Sequence, residues 1–288
     1  ICKFMNEERI KLDTLSKESL YGSIEEILQI DKKIIKDYIK ENAENIVDVR
    51  YDEYSIEDMD LSKLLNGNRI KIIDTLIMHH ITPRKCRENI EKEGLMTLAN
   101  TLTSDTELAN YLNQIGFTFE FDGNKIKMTE KGNVVDLDIL DEKNLKKRLE
   151  GDEYNINGYL FVSAFNLNSI QGWLGSPEIL KTLSNAYNKK EIANDYGKEC
   201  ENYYISFEVP TKDIDIDSTV ENISEDAKSE ILLKYAVNAL AYAETEGYLD
   251  YSMCNPVIYL NKSYNVESKY IQKIWKLKKK NCIKYVPE

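Results

Sequence analysis

Apolar and polar residues recur along this chain in two rhythms, and each rhythm predicts its own kind of element. From residue 7 to 65 the apolar positions return every three or four residues. Ile27, Ile30, Ile34 and Tyr38 form such a stripe, the mark of helices that bury one face and leave a polar one outside. Asn66-Gly67-Asn68 is a strong turn. The apolar, β-branched run from Ile70 to Thr82 then predicts a central strand that ends in two histidines and is broken by Pro83. Arg84 to Glu93 reads as a short helix stopped by Gly94, and Thr103 to Ile115 as a second.

The rhythm then changes to two. Phe117, Phe119 and Phe121 alternate with Thr118 and Glu120, and Asp122-Gly123 turns the chain into Lys125-Ile126-Lys127-Met128. Lys131-Gly132-Asn133 turns it again toward Val135, Leu137 and Ile139, completing a β-meander. Further strands are predicted over Tyr159–Phe165, over Tyr203–Val209 (closed by Pro210) and over Val257–Leu260. A helix starts near Pro177, and another runs from about Asp226 to Ala243. Ser224 serves the latter as N-cap, with Glu225 and Asp226 in its first turn. The segment Val266–Lys279 reads as a last helix, with Lys273, Lys276, Lys278, Lys279 and Lys280 as a solvated face. Helices and strands interleave with meander-like links and no internal repeat, so the fold class is α+β.

Length and composition set the limits. A chain of 288 residues with 42% hydrophobic and 31% charged residues can bury a core, and it suits one large domain or a domain with a subdomain. No run of eighteen apolar residues occurs, and the N-terminus lacks the long apolar stretch of a signal peptide. These features predict a cytoplasmic protein with no membrane contact. A start at Ile1 suggests a trimmed N-terminus.

Five scattered cysteines without a C-x-x-C, and only two histidines, leave no ordinary zinc set, so no metal is expected. Asp213, Asp215 and Asp217 alternate, but no calcium-loop glycine or closing glutamate follows. The net charge of −12 weighs against an extended nucleic-acid interface, which needs Lys and Arg against phosphates. Usage heavy in Lys, Ile, Asn and Tyr suggests an AT-rich bacterial or phage genome.

The chemistry gathers around Ile77-Met78-His79-His80-Ile81-Thr82. On a strand, neighbouring side chains point to opposite faces while His80 and Thr82 share one. An imidazole beside a hydroxyl can grip a sugar or an amide. The plainer reading of the pair is a histidine packed at a core edge with a satisfied hydrogen bond. Arg84, Lys85 and Arg87 follow directly and could meet an anion.

His80-Ile81-Thr82, then Asn89-Ile90 and Gly94-Leu95, resembles the first motif of the ADP-ribosyltransferase fold, shared by mono-ADP-ribosylating toxins and RNA 2′-phosphotransferases. Gly158 to Ser163 is similar to the second strand motif of that family. Ser252, Asn255, Val257 and Leu260, followed by Val266 and Tyr270-Ile271, resemble the closing strand and helix of the phosphotransferase branch. The likeness covers about residues 70–275. It implies a split β-sheet core over 67–288, a helical N-terminal subdomain over 1–66 and a meander inserted at about 116–150.

The resemblance also implies a function and a site. NAD would be bound as a substrate, with His80 on the adenosine ribose, Thr82 in support, and Arg84 or Arg87 on the pyrophosphate. Gly94 would shape the first motif, Tyr159 or Ser163 would line the cleft, and Trp173 would stack on the nicotinamide. Glu244-Thr245-Glu246 has the family's E-x-E form, which would make Glu246 the residue that polarises the ribose hydroxyl and Glu244 the one that orients the acceptor. A competing alignment puts Asn255, not an acid, at the start of the relevant strand, and the helix end is a plain alternative for both glutamates. The implied activity is mono-ADP-ribosyl transfer to a protein or small-molecule acceptor, in a toxin or phage-conflict setting. The alternative is a non-catalytic acidic protein that sequesters a partner or ligand. No G-x-S-x-G, Walker loop or H-E-x-x-H supports another hydrolase.

Overall fold

The computed structural model describes residues 9–48, 56–140, 143–151, 155–161, 165–166, 173–217, 223–246, 255–279 and 284–287. The chain opens with strand β1 (Lys11–Leu12), helices α1 (Lys17–Leu28), α2 (Lys32–Asp48) and α3 (Ser62–Leu65), and strand β2 (Thr75–Arg84). Helices α4 (Arg87–Glu93), α5 (Leu98–Thr103) and α6 (Glu107–Gln114) lead into β3 (Phe117–Phe121), β4 (Ile126–Glu130) and β5 (Asn133–Val134). Next come α7 (Lys143–Glu150), β6 (Asn157–Tyr159), β7 (Phe165–Asn166), α8 (Glu178–Ala186), α9 (Glu191–Gly197) and β8 (Glu201–Pro210). The chain closes with β9 (Ile214–Ile216), α10 (Glu225–Glu246), β10 (Val257–Leu260), β11 (Ile271–Lys279) and β12 (Lys284–Pro287). Helix and sheet are therefore mixed, as an α+β chain requires. The hydrogen-bonded strand order is β7-β12-β11-β8-β2-β6-β10-β9, with β1 beside β2, and β3-β4-β5 form a separate sheet.

Two compact units interleave along the chain. The first holds residues 1–79, 158–165 and 206–258. In it β1 runs parallel to β2, Lys11 opposite Thr75 and Leu12 opposite Leu76. Ser16 caps α1 by accepting from the Ser19 N–H, and the Ser19 hydroxyl answers the Ser16 N–H. The apolar stripes of α1 and α2 (Leu20, Ile24, Ile27, Ile35, Ile39) are buried, as are Leu232, Leu233, Ala236, Val237, Leu240 and Ala241 of α10. Helix α10 is apolar on most sides because most sides are covered. The N-terminal helices, expected to form a subdomain over 1–66, share this unit with residues 206–258.

Gly22, inside α1, has open space where a Cβ would stand; its nearest neighbour is the Lys32 Nζ at 4.0 Å. Gly22→Ala is expected to stabilise the protein by about 0.5–1 kcal/mol, since alanine has less backbone freedom to lose in a helix. A raised urea midpoint at unchanged slope is the check.

The second unit holds residues 80–157, 166–205 and 259–288. The first two strands of its meander pair as expected across the Asp122-Gly123 turn, Phe117 opposite Glu130 through Phe121 opposite Ile126, whereas the third is only Asn133–Val134 and the expected strand at Val135, Leu137 and Ile139 is coil and turn. Phe117, Phe119, Ile126 and Met128 pack with Leu102, Leu108, Leu112, Leu145, Leu149 and Leu183 into one core. The helix predicted over Thr103–Ile115 is the shorter α6, and α5 precedes it as a separate helix. Thr106 accepts from the Ala109 N–H and donates to the Thr101 carbonyl at 2.6 Å, so it starts α6 afresh. Gly94 ends α4 at φ +73, where a Cβ would stand 2.0 Å from the Val266 carbonyl oxygen, and Leu95 and Val266 exchange backbone hydrogen bonds.

Three predicted elements are corrected. Strand β2 runs through Pro83 to Arg84, because proline's fixed φ suits extended backbone and only its missing N–H must be left out of the ladder. The strand predicted over Tyr159–Phe165 is broken: β6 ends at Tyr159 and β7 begins at Phe165. In the first unit the Asn255 side chain accepts from the Phe161 N–H and donates to the Phe161 carbonyl, both at 2.9 Å, doing the work of a strand neighbour there. The helix predicted over Val266–Lys279 is instead β11, whose Trp275 ring lies 5.8 Å from that of buried Tyr204 on β8. Lys273, Lys276, Lys278 and Lys279 thus lie on a strand, Lys280 lies outside the described residues, and Lys276 pairs with Glu201.

Candidate functional site

Strand β2 sends its two histidines to opposite faces, and they meet opposite fates. His79, in the first unit, is wholly buried. Its Nε2 lies 2.9 Å from the Thr14 hydroxyl and its Nδ1 2.6 Å from the Ser206 hydroxyl. Thr14 also donates to the Ile77 carbonyl at 2.8 Å, which commits its only proton. Nε2 must then carry the hydrogen and donate to Thr14, leaving Nδ1 to accept from Ser206. Burial pushes His79 down to about 3, so the ring is neutral at neutral pH.

His80, in the second unit, is half-buried, and its Nδ1 lies 2.6 Å from the Asn157 carbonyl oxygen. A carbonyl cannot donate, so Nδ1 bears the proton and Nε2 presents a lone pair. That nitrogen has no hydrogen-bond partner among the described residues. Burial lowers His80 to about 4, the Asn157 carbonyl opposes the shift, and the Arg84 charge adds to it. The ring is a neutral acceptor at pH 7.

Strand alternation puts Thr82 and Arg84 on the same face as His80, with Arg84 roughly 13 Å along the strand. Thr82 is buried and Arg84 half-buried. No ion pair holds the Arg84 guanidinium among the described residues. It lines a cavity of about 20 Å³, enough for one water, together with Asn89, Glu93, Gly94, Glu107 and Tyr196. Asn89 donates to Glu107 at 2.6 Å, and burial raises the Tyr196 phenol far above its ordinary value.

The remaining predicted residues are placed as follows. Arg87 is on exposed α4 and pairs with Glu91 at 2.8 Å. Trp173 is half-buried just before α8, in the second unit. Tyr159 is buried in the first unit, opposite His79 in the β2–β6 ladder. Glu244, also in the first unit, is held by Lys17 at 2.5 Å and accepts from the Tyr21 hydroxyl at 3.3 Å. Lys17 is the main cause that keeps its carboxyl below the ordinary value. Glu246 is the last residue of α10; its side chain and all of Ser163 lie outside the described residues.

The structure thus brings His80, Thr82 and Arg84 onto one strand face, and Arg84 and Gly94 onto one cavity. Sequence reasoning missed Thr14, Ser206, Glu107 and Tyr196. No local signal could have found Thr14 or Ser206, which reach His79 across 65 and 127 residues. Among the described residues no group of His, Cys, Asp and Glu could hold a metal ion, and no helix is long and apolar enough to cross a membrane. No protein-family model, no curated protein and no solved structure matches the chain.

Proposed function

We propose that the chain is an ADP-ribosyltransferase-like protein that takes NAD as substrate and grips it on the β2 face formed by His80, Thr82 and Arg84. The observation that carries this reading is the state of His80: a neutral, half-buried ring with Nδ1 spent on Asn157 and Nε2 left to accept. A ribose hydroxyl is a fitting donor for that nitrogen. Arg84 offers a guanidinium with no carboxylate paired to it among the described residues, suited to a pyrophosphate oxygen pair. Bound NAD would supply the nicotinamide glycosidic bond as the reactive linkage. His80 and Arg84 would bind and orient it, and the acceptor would be a protein or a small molecule.

Glu244 favours a second reading, binding without transfer. A carboxylate already engaged by Lys17 and Tyr21 is poorly placed to orient an acceptor, which leaves catalysis to Glu246.

Calorimetric titration with NAD separates these readings. The wild type should bind. His80→Ala should weaken binding about three- to tenfold, as for one neutral hydrogen bond, and Arg84→Gln about ten- to a hundredfold, as for a charged one. Transfer of labelled NAD to a lysate component that is lost in Glu246→Gln supports the enzyme, whereas binding without labelling supports the sequestering protein. No heat at millimolar NAD removes both.

A further inference from the structure

The first unit contains an open cavity of about 270 Å³, lined by Arg9, Ile73, Asp74, Thr75, Pro210, Thr211, Lys212 and Glu225. Its walls are pinned backbone. The Ile10 N–H donates to Asp74 Oδ2 at 2.8 Å, and the Ile10 carbonyl accepts from the Asp74 N–H at 2.9 Å. The Thr211 N–H donates to the Asp74 carbonyl at 2.9 Å, and the Ile73 N–H to the Ser229 hydroxyl at 2.9 Å. A cavity held this way exists before any ligand arrives.

Four charged side chains line it, two of each sign: Arg9 and Lys212 against Asp74 and Glu225. None of the four forms an ion pair among the described residues. Thr211, in the same wall, is buried and its hydroxyl has no hydrogen-bond partner there, a state that costs on the order of a hydrogen bond until something satisfies it.

We infer that this cavity binds a small zwitterion of the α-amino-acid type. A simple anion drawn to Arg9 and Lys212 would also face Asp74 and Glu225, and a simple amine would face the reverse. A ligand that carries a carboxylate and an ammonium on one carbon answers both pairs at once. The volume sits just below the range of drug-sized pockets, which suits a free amino acid better than a dinucleotide. Ser224 already caps α10 through the Ala227 N–H, so the helix end is not the anion site; the side chains are. The inference does not rest on the NAD reading.

The test uses the full chain and the twenty free L-α-amino acids as probes, followed by thermal shift and calorimetry. At least one should raise the melting temperature, and its decarboxylated amine and its N-acetyl derivative should each bind at least about tenfold more weakly. Arg9→Gln and Glu225→Gln, both exposed, should weaken that binding by a similar factor while leaving the unliganded melting temperature in place. His80→Ala should not change it, which keeps this site distinguishable from the β2 face. Absence of binding by all twenty at millimolar concentration overturns the inference. So does equal binding of the amine, or unchanged affinity in both variants.

Discussion

Moving the protein from pH 7 to pH 4 is expected to remove about 3 kcal/mol of folding stability through His79 alone. In the unfolded chain the imidazole takes a proton near its ordinary 6.5, whereas in the fold burial holds it near 3. Between these values the unfolded state binds the extra proton and the native state does not. Stability from this residue is therefore complete above pH 6.5, falls as the pH drops, and levels off below about 3 with a total loss of about 5 kcal/mol. The geometry explains why the native ring resists charging. A second proton would have to sit on Nδ1, which faces the Ser206 oxygen at 2.6 Å, and that hydroxyl would have to turn its own hydrogen elsewhere in a dry interior. His80 contributes in the same direction between 6.5 and about 4. Urea unfolding at pH 7 and pH 4 should give a smaller loss for His79→Gln than for the wild type, because glutamine can keep polar contact with Thr14 or Ser206 but cannot titrate. Parallel losses in the two proteins would refute the assignment.

Much of the fold is legible in the sequence wherever one periodicity stands alone. The stretch from Phe117 to Met128 alternates cleanly, and the structure pairs it as an antiparallel hairpin across Asp122-Gly123. Val266–Lys279 fails for a definable reason. Ile271, Ile274 and Trp275 sit at helical spacing, while Ile271, Trp275 and Leu277 also sit at strand spacing. Local pattern cannot choose between them, and packing of Trp275 beside Tyr204 decides for the strand. The candidate site divides similarly. That adjacent histidines on a strand face opposite ways follows from the pleat. That His79 is the inward one, and that Thr14 and Ser206 are what it meets, depends on long-range register that no local run encodes. Asn255 is a further case. The competing alignment puts this amide where the family's pattern has an acid, and the structure gives it a backbone-pairing role at Phe161, which a carboxylate, lacking the donor, could not fill.

Gly158→Ala is expected to destabilise the protein by about 3 kcal/mol or more, the opposite sign from Gly22→Ala although each adds one methyl group. At Gly158 the new Cβ would lie 2.2 Å from the His79 carbonyl oxygen, 3.0 Å from its carbon and 3.1 Å from the Met78 Cε. The methionine tip can move, but the carbonyl belongs to the β2 backbone and cannot. Relief therefore requires the two strands to part by about 1 Å, which breaks the His79–Tyr159 pairing. Asn157 is the next residue, so the same displacement strains its 2.6 Å bond to His80. The glycine in this second motif is thus explained by steric approach alone, before any ligand is invoked. Two measurements follow from one substitution: a fall in the urea midpoint, and loss of a slowly exchanging His80 Nδ1 proton in the NMR spectrum of the protein that remains folded. If Gly158→Ala unfolds within about 0.5 kcal/mol of the wild type, which is the range of an ordinary surface change, β6 does not approach β2 so closely. The orientation of His80, and with it the Nε2 lone pair on which the proposed NAD recognition rests, would then need another support.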